Sequence, residues 1–580
     1  MTVRYAVDLR DRLHHLVRVT LTVPADVAAG ARIVLPVWTP GSYVVRNYVH
    51  HVQWIRARDE AGAVVDLVPD GHTAWRLPEL ATGEVEVELE LYANELTVRT
   101  NHVDDHHALL IPAATFPFVE GAEDRPHLVH LPATEGHRVW SLLPPGDAPD
   151  TYRADHRDHL VDSAFEVGAL PAVDFEVAGV PHTFVWAGHG GHPDLDAIAA
   201  DATAIGRAAV ALFEGELPIE RYVYLCTGWH EGGGGLEHRD GSVLQMPIRT
   251  FQEPDLLARF QSLMAHEYLH LWNVKRLVPA ALVRPDYERP THTESLWVAE
   301  GWTAYYDELL PLRAGVWTLS RFLDNLRDTW QRVLDTPGVA LQSLRRASHE
   351  AWVKHYVRDE NTVNANTDYY GHGALVAWYL DLLLRGLRPD GDGLDEVFRL
   401  LWRRHANTAE GYTEADVEQA VADIAGTDLG KLFEDHVAGT SVPPIDEVLG
   451  AVGLQVVLAT GEAAPDLGVQ VAEDERGVTF TAVLRGRPAW EAGLTGGDQL
   501  VAIDRTRVGR GELAGRLRAH AAGDEVAVTV LRGPRLLTRT VTLGTPRPSR
   551  RLVRDEAAAD AQRAAFRRWT GVAWESAPTA

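Results

Sequence analysis

Apolar and polar positions divide the chain into regions with different periods. Up to about Gly168 they alternate: Val17, Val19, Leu21 and Val23 are separated by Arg18, Thr20 and Thr22, and Val85, Val87, Leu89 and Leu91 by Glu86, Glu88 and Glu90. That pattern predicts antiparallel sheets with one solvated face. From 169 to 250 strand-like runs at 183–186 and 222–226 flank a helical stretch from Asp194 to about Glu214. Then Leu256, Leu257, Phe260, Leu263, Met264, Leu271 and Val274 recur at helical spacing, from Asp255 as N-cap to about Arg276. Helical patterning continues through 319–334 and 373–387. After Pro443-Pro444 and a linker-like stretch, a small β module follows, with a strand at 525–530, and the tail from Thr545 carries arginines around an alanine-rich run. The expected fold is multidomain α+β: an antiparallel β domain over 1–168, a mixed-sheet and helical domain over 169–450 (sheet to 250, helices from 251), a β module over 459–544, and a helical tail over 545–580.

Length agrees with that division, because 580 residues are too many for one hydrophobic core. The formal charge of −27 disfavours a phosphate-binding surface, so no nucleic-acid partner is expected. Lysine occurs only at Lys275, Lys354 and Lys431, a bias read as compositional. Cys226 is the single cysteine, which rules out an intrachain disulfide and reads as a buried structural residue. Charges at Arg4, Asp8 and Arg10 interrupt what a signal peptide would need as an apolar core, and no run is long enough for a membrane span. The expectation is a cytoplasmic protein with no membrane partner.

The helix centred on residue 265 carries the chemistry. His266 and His270 lie four positions apart, about 40° around a helix axis, so both can aim at one tetrahedral metal. Glu267 between them is the candidate general base, a carboxylate placed to take a proton from the attacking water. Downstream, Trp297-Val298-Ala299-Glu300-Gly301 offers Glu300 as third ligand, and two His plus one Glu leave a catalytic zinc one open position. One zinc per chain is expected.

His266-Glu267-x-x-His270 followed by Trp297-x-x-Glu300-Gly301 resembles the gluzincin metallopeptidases. Trp38-Thr39-Pro40-Gly41-Ser42-Tyr43 and Leu160-Val161-Asp162-Ser163 narrow the resemblance to the glycyl aminopeptidase family, although the first also reads as a proline-glycine turn. The resemblance implies an N-terminal β domain, a thermolysin-like zinc peptidase domain and a PDZ module. It further implies that the segment Gly232-Gly233-Gly234-Gly235-Leu236-Glu237 lies as an edge strand along the substrate, with Gly234, Gly235 and Leu236 beside it and Glu237 on the free α-amine. Tyr370-Gly371-His372-Gly373 is similar to the family's oxyanion segment, which makes Tyr370 the oxyanion candidate. His372 stands where a lysine is usual, and adjacent Tyr369 leaves the register open by one. The β module resembles a bacterial-type PDZ domain, able to add an extended chain as a strand with backbone N–H groups at Leu467, Gly468 and Val469 for a terminal carboxylate. A docked module that binds nothing in trans is the other reading.

Two histidine clusters stand apart from this set. His102, His106 and His107 lie with Asp104 and Asp105 in a stretch that reads as a solvated loop rather than a second metal site, and His189 and His192 read as turn residues. The functional expectation is a zinc aminopeptidase acting on peptides with free, small N-terminal residues such as glycine and alanine. A PDZ-guided endopeptidase and a non-catalytic peptide-binding scaffold are the alternatives. A peptide ligand at the PDZ module is the expected second partner.

Overall fold

The computed structural model describes residues 2–79, 83–134, 136–188, 193–459 and 463–579, so His189 and His192 lie outside the described residues. The fold is multidomain α+β, and the chain forms two compact units. One comprises Met1–His292, Tyr306–Trp317 and Trp402–Tyr412, the other Thr293–Tyr305, Thr318–Leu401 and Thr413–Ala580. Among the described residues no helix is long and apolar enough to cross a membrane.

In the first unit the alternating segments pair as their pattern requires. Leu16–Val23 runs antiparallel to Val85–Tyr92 with Val17 opposite Leu91, Val19 opposite Leu89 and Leu21 opposite Val87. These side chains are fully buried in one core, whereas Arg18 and Glu86 stay at the surface. Each such Val or Leu contributes about 1.5–3 kcal/mol of burial, which pins the register because a one-residue slip would expose the whole set. The seven-stranded sheet built on this pair is not wholly antiparallel: Val3–Asp8 pairs in parallel with His127–His130. Alternation reports which face a strand buries and carries no information on strand direction.

A four-stranded sheet contains the first histidine cluster. His102–Val103 and His107–Leu110 form a hairpin whose second strand pairs with Phe165–Gly168. This corrects the solvated-loop expectation, since His102 and His107 are buried there.

The next layer is a five-stranded mixed sheet in the order Ala172–Val177, Val180–Gly188, Tyr222–Trp229, Gly241–Pro247, Gly234–His238. The central strand Tyr222–Trp229 is parallel to both neighbours and buried along almost its whole length, which explains its unbroken apolar run. Helix Pro254–Leu269 packs on the edge strand Gly234–His238 and its neighbour Gly241–Pro247. It is tied to the sheet by Tyr268, whose hydroxyl lies 3.0 Å from His182 Nε2 and whose ring meets Tyr222 edge-on at 5.0 Å. This helix is shorter than the periodicity suggested. Pro254 occupies its first turn and Glu253 is the N-cap, as expected where proline lacks an N–H to satisfy. At the other end His270 is the C-cap, and turns continue the apolar pattern to Leu277.

The second unit is mostly helical up to Val448. Leu319–Asp335 and Gly371–Leu387 pack against each other, and Glu414–Ala425 starts with a Thr413–Asp416 capping box. Its C-terminal part is a β sheet ordered Val469–Asp474, Gly477–Val483, Gln499–Ile503, Glu525–Arg532, Arg535–Thr542, with Thr506–Arg507 on the third strand. Around one apolar core, the buried Asp498 accepts from Arg532 Nε and Nη2 at 2.7 and 2.8 Å. The tail contains the expected helix, Asp560–Thr570, with Phe566 and Trp569 buried. Before it, Ser549–Arg554 is a strand paired with Leu454–Ala459, a pairing between segments almost a hundred residues apart that the arginine-rich composition conceals.

Candidate active site

In the first unit His266, Glu267 and His270 stand at the C-terminal end of helix Pro254–Leu269. The two imidazole rings are 4.6 Å apart and nearly perpendicular, at 86°. His266 Nδ1 donates to Asp307 Oδ2 at 2.8 Å, and His270 Nδ1 donates to the Asn273 carbonyl at 2.6 Å. Both bonds select the tautomer in which Nε2 is the ligating nitrogen, and a carboxylate or carbonyl behind each ring is how zinc histidines are held. The donor set therefore suits zinc. Asp307 is absent from the sequence reading; its signal was a carboxylate one helix downstream of the Trp297–Gly301 motif, on helix Gly301–Arg313.

Glu267 is 4 % exposed and faces the strand Gly234–His238. A Cβ at Gly235 would overlap the Glu267 carboxylate, so only glycine lets the strand approach this close. Along the strand Gly235 and Glu237 share one face, and Leu236 turns to the other and is fully buried. The strand sits at the sheet edge with Gly234 opposite Gln245 and Glu237 opposite Ser242. Arg99 Nη2 holds the Gly235 carbonyl at 3.2 Å. Ligand oxygens of Glu237 and Glu267 and a nitrogen of His270 all lie within 4.8 Å of one another.

Glu237 is itself enclosed. Among the described residues its Oε1 is buried and makes no hydrogen bond, and Lys275 Nζ stands 3.5 Å away as an ion-pair partner. Lys275 instead donates to Asp162 Oδ1 at 2.9 Å, and His238 Nδ1 approaches the same oxygen at 3.2 Å. Burial works against both charges, yet Asp162 and Glu237 lift the Lys275 ammonium above its ordinary pKa, and Lys275 with His238 holds the Asp162 carboxyl below its own. Gly41 covers Glu237 from the segment 38–43, where Trp38 Nε1 donates to the carbonyls of Asp286 and Arg289 at 2.8 and 3.0 Å. A cavity of about 210 Å³ opens beside these groups, lined by Trp38, Tyr43 and Tyr287 among others. The sequence reading assigned no role to Lys275, although a rare lysine in an arginine-rich chain was a usable signal.

The second unit holds Glu300 and Tyr370. Glu300 is buried at the C-cap of the short helix Leu296–Ala299, and its charge acts on Tyr370. Tyr369 and Tyr370 stack at 4.8 Å, and the Tyr356 hydroxyl lies 3.3 Å from each of theirs. Tyr369 is fully buried, whereas Tyr370 keeps part of its surface exposed. Burial, with the Glu300 charge adding, keeps the Tyr370 phenol well above its ordinary pKa. Gly301 and Gly373 touch backbone to backbone, a close approach that a side chain at either would block. His372 faces inward, its Nδ1 3.0 Å from Thr367 Oγ1, and burial pulls its pKa down to about 4.

His107 Nδ1 meets Glu166 Oε1 at 2.8 Å and His102 Nε2 meets Asp104 Oδ2 at 3.1 Å, with ligand atoms of His102, Asp104 and His107 within 4.8 Å of one another. Cys226 is buried in the central strand of the mixed sheet. In the β module Leu467 is buried and Gly468 has φ +78°. The Gly468 N–H already donates to Asp466 Oδ1 at 3.0 Å, and Val469 opens the edge strand Val469–Asp474.

Parts of the chain match known protein families. The M61 peptidase N-terminal domain matches residues 4–169, the M61 glycyl aminopeptidase matches 259–376 and a PDZ domain matches 465–543. The crystal structure of an aminopeptidase N family protein from Idiomarina loihiensis superposes with a TM-score of 0.92 at 28 % identity, covering 98 % of this chain and 100 % of that one. Two curated relatives, described as probable periplasmic serine endoproteases DegP-like from Chlamydia muridarum and Chlamydia trachomatis, are each 34 % identical over 106 residues, 18 % of this chain. The chain spans about a fifth of the length of those curated relatives, 21 % of each. With the M61 N-terminal domain, the M61 peptidase domain and a PDZ domain following one another in order, the chain belongs to the M61 glycyl aminopeptidase family.

Proposed function

We propose that this chain is a zinc-dependent aminopeptidase that removes small N-terminal residues, glycine and alanine, from peptides. His266, His270 and Glu300 would hold one zinc ion, which when bound polarises the scissile carbonyl and acidifies a water. Glu267 takes the proton of the attacking water and delivers it to the leaving amine. Tyr370 donates its phenol hydrogen to the developing oxyanion. Gly234, Gly235 and Leu236 present an edge to the extended substrate, and Glu237 pairs with its α-ammonium.

One observation carries the aminopeptidase reading: a buried carboxylate oxygen of Glu237 without a hydrogen bond, beside Glu267 and His270. An internal peptide bond has no cation to offer it, whereas a free N-terminus does. The family's glycyl name supports small-residue specificity. At the PDZ domain the groove between the edge strand Val469–Asp474 and helix Leu513–Leu517 is lined by Leu467, Gly468, Val469 and Leu517, which supports a second peptide site there.

The test is hydrolysis of glycyl, alanyl and leucyl peptides, free and N-acetylated, with and without a chelator. Chelator-sensitive cleavage of free glycyl and alanyl peptides is the expected result. Cleavage of the acetylated set would move the assignment to a PDZ-guided endopeptidase. Silence on the whole set, with zinc bound, would leave a peptide-binding scaffold.

A further inference from the structure

Two segments outside the zinc motif, 38–43 and 160–163, line the cavity that Glu237 shares, and only the first abuts its carboxylate. The second supplies Asp162. Asp162, Lys275 and Glu237 have side chains 15 %, 6 % and 4 % exposed, so their charges interact through protein rather than water. Two carboxylates and one ammonium leave the cluster one negative charge. Its distribution is uneven: the Lys275–Asp162 contact at 2.9 Å is a hydrogen bond, whereas Lys275–Glu237 at 3.5 Å is not a good one. Glu237 therefore keeps an acceptor oxygen without a hydrogen bond, and the one ammonium, bonded to Asp162, balances only part of the charge of the two carboxylates. Without Asp162 the buried ammonium would turn to Glu237 and compete with any incoming amine.

We propose that Asp162 is a positioning residue for the amine anchor: by taking Lys275 as its own partner, it reserves the Glu237 carboxylate for the substrate's α-ammonium. This rests on the reading of Glu237 as the amine site.

The test compares KM and kcat of the full-length, zinc-loaded enzyme for a glycyl arylamide in wild type and three variants. Asp162→Asn is expected to raise KM by about tenfold or more with kcat within about threefold, because only amine capture is weakened. The double variant Asp162→Asn/Lys275→Met, which restores the cluster's single net negative charge and places it on Glu237, should return KM to within about threefold of wild type. A purely structural role for Asp162 would not give that recovery. An unchanged KM in Asp162→Asn, or a double variant as impaired as the single one, overturns the proposal. If Asp162→Asn does not fold, the double variant decides alone, since removing both members of a buried pair is far milder than removing one. Glu237→Gln separates the two levels: if it leaves KM for the free amine intact, the amine-site reading itself falls, whatever Asp162 does.

Discussion

Gly41 backs the Glu237 carboxylate so closely that a Cβ at position 41 would overlap it, and its backbone has φ +83°. Both facts demand glycine there. Gly41→Ala is expected to strain the turn by about 1 kcal/mol and displace the carboxylate. KM for free-amine peptides should rise by about tenfold, with a melting temperature only a few degrees lower. An unchanged KM would show that the carboxylate tolerates displacement.

Asp307 orients His266 through the 2.8 Å bond to Nδ1. Asp307→Ala should weaken zinc affinity by about 10–100-fold, read by competition with a chromophoric chelator while helix content by circular dichroism is unchanged. Wild-type affinity in that variant would make the contact structural only.

Glu267 and Gly235 form a matched pair. Glu267→Gln should lower kcat by about 10²–10⁴-fold or more with zinc still bound, because the amide cannot accept the water's proton. Gly235→Ala, whose Cβ would overlap the Glu267 carboxylate, should lower kcat without loss of metal. Metal content by elemental analysis beside kcat separates these outcomes from simple zinc loss.

Acid should destabilise the fold before its carboxylates titrate. Burial pulls the pKa of His127, His182 and His372 down to about 4 each. The folded chain keeps these rings neutral while the unfolded chain protonates them below about pH 6.5, so stability present above that value is lost as pH falls towards 4. Each contributes about 3 kcal/mol over that window. Urea unfolding at about pH 7 and about pH 4.5 measures the slope, and His127→Phe, which keeps a ring beside Tyr5, should flatten it. An equal slope in the variant would remove His127 from the acid response.

Much of the architecture was legible from local spacing. The period-2 run at 16–23, the apolar run at 222–226 and the helical spacing around His266 report burial directly, because a regular element faces its neighbours at fixed intervals. His266, Glu267 and His270 come from one helix, and the glycines before Glu237 mark a strand that something approaches closely. Local spacing also misled. His102 and His107 read as solvent-exposed because polar residues surround them, and only pairing with the strand that carries Glu166 buries them.

By itself, then, the sequence determined the strongly periodic elements and the side chains that share one of them, above all the helix of His266, Glu267 and His270, while the edge-strand and PDZ readings came from family resemblance. Tertiary structure alone decided that Gly41, Asp162 and Lys275 converge on Glu237 and that Asp307 stands behind His266. The reason is physical. Periodicity records how a segment meets the average of its surroundings, whereas a buried ion pair or a backbone packed against a carboxylate is a single contact between distant segments, and its strength depends on a few ångströms of geometry that no local pattern encodes.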